Sequence, residues 1–76
     1  MHYPIYISFE YLGNKEKEVE SFKGYFYYMS QTKGLNLDKM NLINKCIEKR
    51  IYETTNLEYE DISDNDFIII CMKELY

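Results

Sequence analysis

The sequence has no tryptophan and no alanine, and its 76 residues include only one proline, three glycines, one arginine and one histidine. Each shortage excludes some chemistry. The lone imidazole, His2, stands at a fraying end. The base that a Ser–His or Cys–His nucleophilic pair needs is therefore missing, and no catalytic residue can be named. Paired carboxylates occur only in surface-like runs without the spacing of a glycosidase pair. Gly13, Gly24 and Gly34 are isolated, so there is no phosphate cradle and no dinucleotide pattern. Two cysteines, Cys46 and Cys71, with one histidine do not make a zinc set. Asp61, Ser63, Asn65 and Asp66 look like the start of a calcium loop, but Asp66 and Met72 hold the places where such a loop needs Gly and Glu. No enzyme activity, metal or cofactor is expected.

The longest apolar run, Phe67 to Met72, is far short of the roughly 20 residues of a membrane helix. The opening Met1-His2-Tyr3-Pro4 has neither the basic nor the apolar region of a signal peptide. Each cysteine sits in an apolar run, where a free thiol behaves as a small hydrophobe. Spacing alone leaves a disulfide open, but the usage fits a reducing compartment. A cytoplasmic chain without membrane contact is expected, folded as one domain over residues 1–76.

Positive charge is also scarce. Nine basic residues face thirteen acidic ones, for a net charge of −4. Lys15, Lys17 and Lys23 are interleaved with Glu16, Glu18 and Glu20. The basic stripe that displaces counterions from nucleic acid is absent, so direct nucleic-acid binding is not expected.

What is present is aromatic and aliphatic. Phe, Tyr, Met, Ile, Asn and Lys make up 40 of the 76 residues. All six have AT-rich codons, so codon bias by itself raises the tyrosine count to nine.

Tyr3 to Leu12 alternates, with Tyr3, Ile5, Ile7, Phe9 and Tyr11 on one face and Tyr6, Ser8 and Glu10 on the other. That pattern predicts a half-buried strand, with Pro4 tolerated at its start. Gly13-Asn14 marks a turn. Residues 15–33 have two readings. As a strand, Val19 to Met29 pairs with the first in a hairpin, with Gly24 as a bulge or kink. As a helix, Val19, Phe22, Phe26 and Met29 share a face and Gly34 caps the end. Gly24 and the Tyr25-Phe26-Tyr27-Tyr28 cluster favour the strand.

Residues 37–53 read as a helix with Asn36 as N-cap. Met40, Ile43, Ile47 and Ile51 form its apolar stripe, widened by Leu42 and Cys46. Lys39, Asn41, Asn44, Lys45, Glu48, Lys49 and Glu53 fall on its wet side, and Lys49 and Arg50 suit the dipole near its C-terminal end. Residues 57–66 form an acidic connection. Phe67 to Leu75 reads as a last strand, central or covered on both faces because its apolar residues are contiguous. The expected fold is α+β, a three-stranded, mostly antiparallel sheet with one helix in the order ββαβ, the last strand beside the first. The alternative is βααβ.

Two surface features invite partners. In the hairpin reading one helix covers one sheet face and the other shows residues such as Tyr6, Ser8, Tyr25 and Tyr27, an aromatic area of the kind that marks interfaces. The sequence does not fix which face each strand shows, and a bulge at Gly24 would shift the register. Glu58, Glu60, Asp61, Asp64 and Asp66, with Tyr59 among them, make an acidic loop suited to a basic partner. The bland readings are codon bias for the tyrosines and a solubilising loop for the acids.

The Tyr6–Tyr11 strand (Tyr-Ile-Ser-Phe-Glu-Tyr), the single Ile-rich helix and the closing Phe67–Ile70 strand resemble, in style, small accessory proteins of phages and mobile elements of AT-rich bacteria. Anti-CRISPR proteins are among them. The resemblance implies a small acidic inhibitor that occupies a basic nucleic-acid site on a host nuclease or ribonucleoprotein. It carries no family residue over. The alternative is a homo-oligomeric assembly module whose tyrosine face pairs with itself, as in a homodimer.

Overall fold

The computed structural model describes residues 1–76. Three strands and one helix follow in the order β1 (Tyr3–Tyr11), β2 (Phe22–Ser30), α1 (Leu37–Thr54) and β3 (Phe67–Glu74), with a short 3-10 turn at Tyr59–Asp61 before β3. The ββαβ α+β fold is thus the observed one. The sheet is antiparallel in the order β2-β1-β3, so the first strand is central.

Alternation on β1 decides which sheet face is covered. Ile5, Ile7, Phe9 and Tyr11 are all buried and meet Ile43, Ile47 and Ile51, which recur every fourth residue along α1. Burying each such side chain contributes about 1.5–3 kcal/mol. Phe26, Leu57, Ile62 and Phe67 complete the core. Asn36 caps α1 through its side-chain oxygen, which accepts the Lys39 N–H at 2.8 Å. The helix stops where Thr55 returns to extended backbone and its N–H donates to the Ile51 carbonyl.

Residues 15–33 resolve as turn and strand. Asn14 and Val19 exchange two backbone bonds, of 2.8 and 2.9 Å, and the Asn14 side chain accepts the Lys17 N–H. The chain turns through Gly13 (φ 89°) and Glu18 (φ 58°). Gly24 is neither bulge nor kink, because the β1–β2 register runs unbroken from Tyr3↔Ser30 to Tyr11↔Phe22. The Phe9 ring lies over Gly24 instead. A Cβ there would stand 2.6 Å from Phe9 Cζ.

Several other expectations are corrected. β3 is an edge strand rather than a central one, and Ile68, Ile70 and Cys71 are exposed. Its bulge, at Ile70, lets Ile70 and Cys71 share the open face, and the run showed no alternation because that face, like the covered one, carries apolar residues. Lys39 is buried, not wet. Its ammonium donates to the carbonyls of Thr32 (2.7 Å) and Gly34, closing the β2–α1 loop. Asn44 and Glu48 are half-buried, whereas Leu42 is exposed. The last helical turn holds no basic residue, since Lys49 and Arg50 lie a turn earlier. Both cysteines are free, with Cys71 exposed and Cys46 half-buried.

Candidate functional site

The helix leaves the other sheet face open. On it stand Tyr6, Ser8 and Glu10 from β1, Lys23, Tyr25, Tyr27 and Met29 from β2, and Ile68, Ile70, Cys71 and Lys73 from β3. The β1–β2 register sets Tyr6 opposite Tyr27 and Ser8 opposite Tyr25. The Tyr6 ring contacts both neighbours, with centroids 5.5 Å from Tyr27 and 6.3 Å from Tyr25. Tyr25 is 64% exposed and Tyr27 58%. Met29, Ile68 and Ile70 extend the patch with half their surface in water. Those three escaped sequence reasoning. For Ile68 and Ile70, an unbroken Ile-Ile-Ile run has no polar member to show which residue faces out; Met29 follows Tyr25 and Tyr27 at strand spacing and could have been read with them.

The acidic loop is a separate surface. Its 3-10 turn packs against α1, on the helix side, while Tyr6, Tyr25 and Tyr27 occupy the opposite sheet face. Leu57 and Ile62 anchor the loop in the core, leaving Glu58, Tyr59, Glu60 and Asp64 exposed and Asp61 half-buried. Tyr59 stacks flat on Tyr52 of α1, with ring centroids 4.2 Å apart. The Asp66 carboxylate is already used, accepting the Ser63 N–H at 2.9 Å. No protein-family model, no curated protein and no solved structure matches this chain.

Asp64 has a neighbour of its own sign. Burial pushes the Glu48 carboxyl above its usual range, and the adjacent Asp64 charge and a shared hydrogen bond push the same way, against Lys45. Among the loop's acids, Glu58, Glu60 and Asp64 are exposed, and Asp61 and Asp66 are half-buried.

A groove of about 510 Å³ beside β2 gathers Cys46 with Lys49, Arg50 and Glu53 over Phe26. Burial raises the Cys46 thiol above its ordinary value, and the two cations only partly offset this. The thiol, not the nucleophilic thiolate, is the form favoured there. The structure gathers no group of three His, Cys, Asp or Glu side chains able to hold a metal ion, and no helix is long and apolar enough to cross a membrane.

Proposed function

We propose that this chain is a non-catalytic protein-binding inhibitor, an anti-defence protein of a phage or mobile element that blocks a basic nucleic-acid site on a host nuclease complex. The observation that carries the binding part is the open sheet face. Tyr6, Tyr25, Tyr27, Met29, Ile68 and Ile70 expose a contiguous aromatic and aliphatic surface that a partner would desolvate. Tyrosine is rigid and amphipathic, and is enriched among the residues that dominate binding energy. Glu58, Glu60 and Asp61 supply negative charge on a second surface, suited to steering toward a basic partner. The target class comes from the resemblance to anti-CRISPR proteins.

The test is target-DNA cleavage by purified CRISPR effector complexes titrated with this chain. Cleavage should fall as the chain is added, and Tyr25→Ala with Tyr27→Ala should raise the concentration needed by about tenfold or more, as loss of a binding hot spot does. Undiminished cleavage across effector classes would reject the target. Inhibition by the double variant at the same concentrations as the parent would reject the tyrosine face.

A further inference from the structure

We infer that the outer edge of β2 pairs antiparallel with β2 of a second copy of this chain, joining two three-stranded sheets into one of six strands. The inference does not rest on the inhibitor reading, since it concerns backbone groups at the sheet edge. In an antiparallel ladder the N–H and C=O of one residue point to one side of the strand, and those of the next residue to the other. The Leu12 N–H donates to the Asp66 carbonyl at 2.8 Å, and the Pro4 carbonyl accepts the Leu75 N–H at 3.0 Å. Both bonds lie on the β3 side of β1. Even-numbered residues of β1 thus serve β3, and odd-numbered ones serve β2.

The register partners of the odd-numbered residues are Phe22, Gly24, Phe26, Tyr28 and Ser30, which therefore turn their backbone groups inward. Lys23, Tyr25, Tyr27 and Met29 present theirs to the outer edge, with no strand of this chain beyond them. Exposed edges of this kind are usually blunted by proline, by charged side chains such as lysine, by bulges or by a covering segment, and β2 has one such charge, Lys23, near its start. β3 has its bulge at Ile70. β2 is nine residues long, has no proline, and keeps an unbroken register.

The sequence of β2 fits its own reverse. A two-fold axis through Phe26 pairs all nine residues. On the open face Tyr25 meets Tyr27 of the second copy, and Lys23 meets Met29, so no like charges stand opposite. Aromatic cross-strand pairs of this kind are favourable. On the helix side Gly24 meets Tyr28 and Phe22 meets Ser30, large against small, while Phe26 meets itself. Grooves of about 510 Å³ at Phe26 and about 370 Å³ beside Tyr28 and Leu42 flank the strand, and the Arg50 guanidinium, 5.6 Å from the centre of the Phe26 ring, has to turn aside where Phe26 meets itself. Lys49, Arg50 and Glu53 line the first groove, so the second copy meets both signs of charge there. The pairing would also merge the two tyrosine faces into one surface.

Sedimentation equilibrium and residue-resolved amide exchange of the full chain test this together. The expected mass is twice the 9.3 kDa of one chain, with the amides of Lys23, Tyr25, Tyr27 and Met29 protected at millimolar concentration and exposed on dilution. Tyr27→Pro removes an outward N–H that the β1 ladder does not use, a place where an edge strand tolerates proline. It should give a monomer with core amides still protected. If that variant fails to fold, the exchange pattern of the unaltered chain decides. A single-chain mass at millimolar concentration overturns the inference. So does a dimer in which those four amides exchange freely, because that dimer would meet through the open face. Inhibition of cleavage is a separate readout, so either reading can fail alone.

Discussion

Glu48 is the residue whose charge works against the fold. Its carboxyl sits half-buried on α1 beside Asp64, and its titration is raised above the ordinary 4.5, first by burial and then by that neighbour. A raised carboxyl means that the folded chain holds a proton which the unfolded chain has released. Stability from this group therefore falls as pH rises from 4.5 through the raised value. Glu48→Gln should be more stable than the parent at neutral pH and should lose that advantage well below the ordinary carboxyl range. Denaturant midpoints measured across that interval check the sign, and equal slopes for both proteins would show that the pair is relaxed in solution. Tyr11 has a related strain. Its ring is fully buried, its hydroxyl has no partner, and burial with the nearby Asp66 charge raises its titration. Neither feature is legible in sequence, because each depends on what folds against the side chain.

At the level of elements, β1 and β2 are fitted to one another around Gly24. The Phe9 ring occupies the space a side chain would take there, and packs edge-on against Phe22 and Phe26 at centroid distances of 6.2 and 6.3 Å. Phe9 is 1% exposed, so it cannot swing aside. Gly24→Ala should destabilise the chain by about 1–3 kcal/mol, the usual cost of overpacking a core. Adding Phe9→Leu should recover part of the loss, since contacting residues couple. Additive losses in thermal unfolding would separate the two sites. Here the sequence misled in one detail. A glycine within a strand suggests a bulge, but equally a close approach of another group. The true bulge, at Ile70, sits in a run of like residues where nothing local marks it.

The molecule as a whole spreads its surface chemistry over two sides. Aromatic and aliphatic area lies on the open sheet face, and the exposed carboxylates of Glu58 and Glu60 lie by the helix. If the acidic side steers a basic partner, Glu58→Lys with Glu60→Lys should slow association and flatten its dependence on salt, with little change in dissociation. Stopped-flow or surface-based kinetics against an inhibited effector complex would show it, and an unchanged association rate would remove the loop from the interface. The steering and the contact would then belong to different surfaces, a division that residue spacing in the chain does not disclose.

Local order along β1 and α1 was settled by the sequence alone. The alternation of Tyr3 to Tyr11, the four-residue recurrence of Ile43, Ile47 and Ile51, and Asn36 ahead of them determine strand, helix and cap, because each depends on neighbours within a turn or a pleat. That residues 22–30 are a strand, and that Tyr6, Tyr25 and Tyr27 share one sheet face, follows only from the β1–β2 register. Only the tertiary structure decided that β3 lies at an edge, that Lys39 is drawn inside to the carbonyls of the β2–α1 loop, and that Asp64 stands against Glu48. Those outcomes depend on which distant segments share space. Desolvation and Coulomb forces act across that space, whatever the separation along the chain.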